Sequence, residues 1–232
     1  IYTYDGSTWG SEVIITASDK AVTDRFGESV SMSSDGTRVV VTSEYESAPD
    51  YYGAAYVFTY NSSSSSWSQG AKLVAPTRTD QDFFGSSGSI SGDGTKIIVG
   101  ARYDDTSFTN SGAAYIFTYS GGSWSQQAKI FPDVAVASGK FGSEGLQLSP
   151  DGTKAIVGAY YSDNSSGSSA AGAAYVFTYD GSSWSQQAKC QASDGDHHDY
   201  FGRSVSISSD GTKVIIGADS NETAGSNSGK VY

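Results

Sequence analysis

The sequence predicts an all-β propeller of four blades, one domain over residues 1–232, and three periodic features predict it. Tryptophan recurs at Trp9, Trp67, Trp124 and Trp184, with spacings of 58, 57 and 60 residues. A Phe-Gly pair recurs at Phe26-Gly27, Phe84-Gly85, Phe141-Gly142 and Phe201-Gly202, and an Asp-Gly-Thr triplet follows each, at Asp35, Asp93, Asp151 and Asp210. Three segments reading GAAYVFTY or GAAYIFTY begin at Gly53, Gly112 and Gly172. A unit of about 58 residues repeated four times marks a repeat architecture. A single four-stranded unit cannot bury both its faces, and stacking units around an axis solves that problem.

Each unit reads as four strands. The first follows the Phe-Gly pair and alternates, as in Val205 and Ile207 against Ser204, Ser206 and Ser208, the period of two that marks a strand. Its small residues in the second unit (Ser86, Ser87, Gly88, Ser89) suit the crowded innermost position. Asp-Gly then closes a tight hairpin. The second strand is an unbroken apolar run, Val39-Val40-Val41 or Ile97-Ile98-Val99, as expected of a strand buried on both faces. A loop of variable length leads to the third strand, where Tyr56, Phe58 and Tyr60 share one face. The fourth strand is the tryptophan segment, Trp124 to Lys129 or Trp184 to Lys189. These spans give blades at roughly 26–75, 84–132 and 141–192, with a composite fourth blade of 201–232 and 1–17. The composite arises because Gly229-Lys230-Val231-Tyr232 followed by Ile1-Tyr2-Thr3-Tyr4 spells a third strand, so both termini are expected to close the ring. A slice of a longer tandem array is the rival expectation.

Composition narrows the function. Lys+Arg is 14 against Asp+Glu 25, a net charge of -11 and a pI near 4.4, and such a surface repels nucleic-acid phosphates. Nothing approaches the roughly 20 apolar residues of a membrane-spanning helix, and no signal-peptide pattern is present in these residues. One cysteine excludes an internal disulfide, and Cys190 stands where other units carry Ile15, Leu73 and Ile130, the place of a small hydrophobe.

The run FGRSVSISSDGTKVIIGA, a loop, and then GAAYVFTY resembles the FG-GAP repeat. The segment SSWSQQAKCQASDGDHHDYFG resembles its bacterial and algal branch, with integrin α-chain propellers as distant relatives. The resemblance spans all four units. It implies a propeller, an extracellular or cell-surface setting, and no enzymatic activity. Integrin-type repeats carry a calcium loop between the first two strands. Here it is shortened to Ser209–Lys213 or its equivalent, too few oxygens for an ion that takes six to eight, so no cofactor is expected.

Variable loops of a repeat scaffold are its natural contact surface. Tyr103, Asp104, Asp105, Tyr160, Tyr161 and Asp163 are the candidate binding residues there. Sequons at Asn61, Asn164 and Asn221 are candidate glycosylation sites. Asp194, Asp196 and His197, with His198 and Asp199 beside them, form the one weak metal candidate. Asp19, Asp24, Asp82, Asp194 and Asp199 recur at equivalent places and are expected to tie turns and blades together. Propellers that cleave sugars place carboxylates or histidines around the axis; the inner strands here show Ser, Gly and Val, with Glu28 and Glu144 the only acids close by, which gives catalysis little support. The expected function is therefore structural or adhesive, with protein or glycan partners or self-assembly. A carbohydrate-binding propeller is the alternative, and a polysaccharide hydrolase or lyase is the third reading.

Overall fold

The computed structural model describes residues 1–47, 50–77, 81–164, 167–221 and 228–232. Among these there is no helix. The first blade is β1 (Val30–Met32), β2 (Arg38–Ser43), β3 (Ala54–Asn61) and β4 (Ser66–Leu73). The second is β5 (Phe84–Ile90), β6 (Lys96–Ala101), β7 (Ala113–Ser120) and β8 (Ser123–Ile130). The third is β9 (Leu146–Leu148), β10 (Lys154–Ala159), β11 (Ala173–Tyr179) and β12 (Trp184–Cys190). The last sheet is β13 (Ser204–Ile207), β14 (Val214–Ala218) and β15 (Lys230–Val231). Every sheet is antiparallel with strands in chain order. The chain is thus an all-β assembly of four propeller blades.

The hairpin between first and second strands is built identically four times. The Ser33 hydroxyl donates to Asp35 Oδ1 (2.6 Å), the Thr37 N–H donates to the same oxygen (2.9 Å), and the Thr37 hydroxyl donates to Oδ2 (2.8 Å). Asp93, Asp151 and Asp210 repeat the serine and threonine N–H bonds. Gly36 sits at φ 69°, the left-handed region that only glycine enters without a Cβ clash. The serine hydroxyl is the largest influence on Asp35, Asp151 and Asp210 and holds each carboxyl below its ordinary value of 3.8, Asp210 at about 2. At Asp93 burial pushes upward, and Ser91 and Thr95 outweigh it. A depressed carboxyl stabilises the fold above its unfolded pKa and loses that contribution as pH falls through the folded one. The urea midpoint is therefore expected to fall steeply from about pH 4 to about pH 2, and Asp→Asn at all four turns should flatten that fall. A midpoint unchanged down to pH 2 contradicts this account of the turns.

The core lies between blades. Val40, Ala55, Val57 and Leu73 of the first blade meet Phe84, Ile97, Val99 and Tyr115 of the second. Ile98, Ala114, Ile116 and Ile130 of the second meet Phe141, Ala155, Val157 and Tyr175 of the third. Alternate residues of each second strand thus face opposite neighbours, and this is why that strand is an unbroken apolar run. Each Phe of the Phe-Gly pair lies edge-on to third-strand aromatics of its own blade, Phe84 to Tyr115 (5.4 Å) and Phe141 to Tyr175 (5.7 Å). Its backbone also reaches the preceding blade: the Phe141 N–H donates to Ser111 O (2.9 Å) and that of Phe201 to Ala171 O (3.0 Å). Of the aromatic rows, Tyr115, Phe117, Tyr175 and Phe177 are buried in these interblade clusters.

On one point the structure differs from the sequence expectation. The last sheet has three strands, and Tyr232 exchanges both backbone bonds with Ile216. The N-terminal residues pair with themselves: the Ile1 ammonium donates to Val13 O (2.7 Å), and Tyr4 bridges to Trp9. This hairpin lays Ile1, Ile15 and Ala17 on Phe26, Val39, Val41 and Tyr56 of the first blade, while the last sheet packs on Ile156 and Ala174 of the third. Elsewhere Tyr60, Tyr119 and Tyr179 donate backbone N–H groups to Thr37, Thr95 and Thr153 (2.8 Å each); among the described residues no such bond runs from Tyr4 to Thr212. Among the described residues no backbone bond joins the N-terminal hairpin to the last sheet, which so lacks the fourth strand that repeat phase assigns to the N-terminus. Repeat phase fixes where a strand begins within its blade. The rotation between blades is set instead by side-chain volume at their interfaces, which phase does not encode.

Candidate functional site

One end of every blade carries the start of the first strand and the finish of the second. The residue before each Phe-Gly pair there is large and left-handed: Arg25, Phe83, Lys140 and Tyr200 have φ between 53° and 57°. Such a conformation costs a non-glycine residue on the order of 1 kcal/mol. It recurs because the chain must turn sharply for the following Phe to pair with the preceding blade. Its consequence is that four bulky side chains project at the blade junctions.

They join the aromatic ends of the second strands in a continuous band. The Arg25 guanidinium lies 4.1 Å from the Tyr45 ring centroid. Tyr45 meets Phe83 edge-on at 5.4 Å, and Phe83 meets Tyr103 at 5.2 Å. Lys140 Nζ stands 5.4 Å from Tyr103, 5.9 Å from Tyr160 and 3.8 Å from Tyr161. Tyr161 reaches Tyr200 at 5.4 Å, and Arg203 lies 5.7 Å from Tyr160. Most of these groups are half-buried. Among the described residues Lys140 sits amid three tyrosines with no carboxylate partner. A cation over aromatic faces in a partly desolvated setting contributes about 0.5–2 kcal/mol, and its charge stays available to an anion. Beneath the band Glu44 is buried, with Arg102 at 2.6 Å. Burial pushes its carboxyl up, and Arg102 opposes the shift.

Of the candidates read from sequence, Tyr103, Tyr160 and Tyr161 lie in this band. Asp104 does not face a partner. It is buried, and its Oδ2 accepts from Lys129 Nζ (2.7 Å) and the Tyr115 hydroxyl (2.8 Å). Burial raises its pKa, yet Lys129 and Thr106 together hold it below the ordinary value. Asp105 and Asp163 are exposed and accept backbone N–H bonds from Asn110 (2.6 Å) and Ala170 (3.1 Å). Parts of the variable loops, residues 48–49, 165–166 and 222–227, lie outside the described residues. Sequence reasoning missed Arg25, Tyr45, Phe83, Lys140, Tyr200 and Arg203. The usable signal was the position before Phe-Gly, which changes in every unit while its neighbours repeat.

The remaining candidates are engaged by the protein itself. Asp194 accepts from the Tyr232 hydroxyl (2.5 Å) and from Lys230, and Asp19 from Lys72 (2.6 Å), so these two aspartates bind the next blade. His197 Nδ1 accepts the Ser169 N–H (2.9 Å), and Asp196 Oδ1 accepts the His197 N–H (2.7 Å). No group of three metal-ligating side chains forms among the described residues. At the Asp-Gly-Thr turns both carboxylate oxygens of Asp35 accept hydrogen bonds from the turn itself. Asn61 is exposed. Asn164 donates to Gly195 O (2.9 Å) and the buried Asn221 to Asp199 (2.8 Å), so a glycan at either would displace a hydrogen bond. Glu144 pairs with Arg203 (2.8 Å). Burial raises the Cys190 thiol, which packs among apolar neighbours as a hydrophobe.

Comparison with known proteins gives a consistent picture. The FG-GAP repeat model matches residues 9–58, 67–117, 124–177 and 184–232. No curated protein sequence matches the chain. Sqt1 of Saccharomyces cerevisiae is similar in structure, with a TM-score of 0.54 and 12% identity over 86% of this chain and 44% of that one. Sqt1 of Chaetomium thermophilum gives 0.54 and 15% over 85% and 43%. Hydrazine synthase of Kuenenia stuttgartiensis gives 0.50 and 15% over 91% and 47%. The chain therefore spans less than half the length of these structures, and at such identities the likeness concerns the fold alone.

Proposed function

The chain belongs to the FG-GAP repeat family, and from that premise we propose that it is a non-catalytic module of the cell exterior or cell surface, structural or adhesive, whose loop face receives an acidic glycan or an acidic protein segment. The observation that carries this reading is the band from Arg25 to Arg203, centred on the carboxylate-free Lys140 among Tyr103, Tyr160 and Tyr161. Tyrosine faces offer flat apolar area to a sugar ring or a side chain, and the cations supply the counter-charge for a carboxylate or sulfate. Within the band Arg25 faces Glu44 and Arg203 pairs with Glu144 and Asp219, so Lys140 is the cation left to answer an anion on a chain that is acidic overall. The lectin-like reading uses the same strip and differs only in the ligand. An extracellular setting is supported by the family resemblance, and Asn61 is the sequon with an exposed side chain. No step of bond chemistry is assigned, since Glu144 is held by Arg203.

Titration calorimetry against a panel of acidic and neutral oligosaccharides and acidic peptides tests this. Acidic ligands are expected to bind more tightly than neutral analogues. Lys140→Ala is expected to weaken them about tenfold, a loss of about 1.4 kcal/mol, and to lower the melting temperature by only about 1–8 °C through the lost cation–aromatic contacts. Equal binding of neutral ligands, or no effect of Lys140→Ala, would overturn the proposal.

A further inference from the structure

We infer that a groove between the first and second blades, opened by Gly70, binds the acetamido group of an N-acetylated sugar. The fourth strand of a blade carries one residue that its third strand does not pair. In β8 Gln126 lies opposite Phe117 and Ala128 opposite Ile116, so Gln127 is the bulged residue. In β4 Gln69 lies opposite Phe58 and Ala71 opposite Val57, so Gly70 holds that place. A bulge re-aims the side chain it carries. Gln127 is half-buried, and its Oε1 accepts the Trp184 Nε1–H of the third blade at 3.1 Å. At this junction the protein itself seats a carboxamide against a tryptophan.

One junction earlier the sequence withholds that carboxamide. Gly70 stands where Gln127 does, and Trp124 where Trp184 does. Among the described residues the Trp124 indole N–H has no acceptor. A cavity of about 330 Å³ lies there, with Arg38, Thr59, Gly70, Ala71, Tyr119 and Trp124 among its walls. Its lining falls between residues 38 and 124, and none of it belongs to the band on the loop face. The backbone does not demand glycine at this point. Gly70 has no left-handed φ, and a Cβ there would meet only Thr59 Oγ1 at 3.7 Å and Val57 O at 3.8 Å, which are ordinary contacts. The glycine therefore leaves open a place that holds a side chain in the next blade.

The walls select the ligand. Trp124 offers a donor to an amide carbonyl, as Trp184 does to Gln127, and Ala71 offers apolar surface to a methyl group. The Arg38 guanidinium lies 4.0 Å from the Tyr119 ring and donates to Gly94 O (2.8 Å). It keeps further N–H groups for hydroxyls, and the Thr59 hydroxyl stands beside Gly70. An acetamido group supplies the carbonyl and the methyl. A pyranose ring supplies the hydroxyls and the bulk for a groove larger than one carboxamide. The ligand needs no charge, so this site does not rest on the loop-face reading.

Titration with N-acetylglucosamine, followed at the Trp124 indole N–H resonance, tests the inference. A saturable shift is expected, with a Kd on the order of 1 mM. Glucose, acetamide and glutamine should each bind at least about tenfold more weakly. Gly70→Gln should move the Trp124 resonance toward that of Trp184 before sugar is added, and weaken the sugar more than about tenfold. Trp124→Phe, read at the acetamido methyl signal of the sugar, should weaken it about tenfold. Lys140→Ala should leave it unchanged, which separates this site from the loop face. No saturable shift, equal affinity for glucose, acetamide or glutamine, binding that survives Gly70→Gln or Trp124→Phe, or binding lost in Lys140→Ala would each overturn it.

Discussion

Gly100→Ala is expected to abolish folding at ordinary temperature, although it adds one methyl group. A Cβ at Gly100 would lie 1.7 Å from the carbonyl oxygen of Gly142 and 2.7 Å from its carbon, both backbone atoms of the next blade. Gly158 stands in the same relation to Gly202, at 1.8 Å. Gly100 has no left-handed conformation, so the penalty is steric rather than torsional. A side chain would move to relieve such a clash; here the Phe-Gly segment stitched to the neighbouring sheet would have to move. We expect a loss above about 4 kcal/mol, the range reserved for forced changes in a packed core, against a total stability of roughly 5–15 kcal/mol. Gly217 is the internal control. Its Cβ would meet only the Ser204 hydroxyl, which rotates away, so Gly217→Ala should cost less than about 1 kcal/mol. Soluble expression and thermal melts of the Gly100→Ala and Gly217→Ala variants decide it. A stable Gly100→Ala protein would mean that the blades do not approach as closely as described.

Asp104→Ala should be the most damaging loss of a polar group. It leaves the Tyr115 hydroxyl without its acceptor and the Lys129 ammonium with the Thr106 hydroxyl in place of a carboxylate. Breaking a buried pair by removing one partner costs about 3–5 kcal/mol. Lys129 retains some solvent access, which lowers the expectation to about 2–4 kcal/mol. For a chain of this size that is a fall of about 4–15 °C in Tm. Asp104→Ala with Lys129→Met should recover part of it, because the orphaned charge is then gone. Equal losses in the single and double variants would locate the damage elsewhere. The third blade already shows the arrangement without an acid: Ser162 stands in place of Asp104, and burial holds the Lys189 ammonium below its ordinary pKa.

The repeat made most of the fold legible. Phe-Gly, Asp-Gly-Thr, the apolar triplet and the tryptophan segment each performs one local task, namely the interblade bond, the hairpin, the two-sided strand and the outer strand. Local tasks are what a sequence pattern encodes. The pairing of the two terminal segments was not legible in the same way, because GKVY followed by IYTY matches a strand in phase while the angle between blades is a sum over side-chain packing. The site was half legible. Tyr103, Tyr160 and Tyr161 stood out as loop aromatics, but Asp104 looked identical to a surface acid, and only burial beside Lys129 reveals its task. Lys140 and Phe83 were hidden by their position next to the most regular motif in the chain, where variation looks like noise.

The central claim, that the loop face is the working surface, is tested most directly by amide hydrogen exchange with and without a saturating acidic ligand from the calorimetric panel. The account predicts slower exchange around Arg25, Tyr45, Phe83, Tyr103, Lys140, Tyr161 and Tyr200, and unchanged exchange at the Asp35, Asp93, Asp151 and Asp210 turns on the opposite end. Slowing at those turns, with the loop face unaffected, would contradict it.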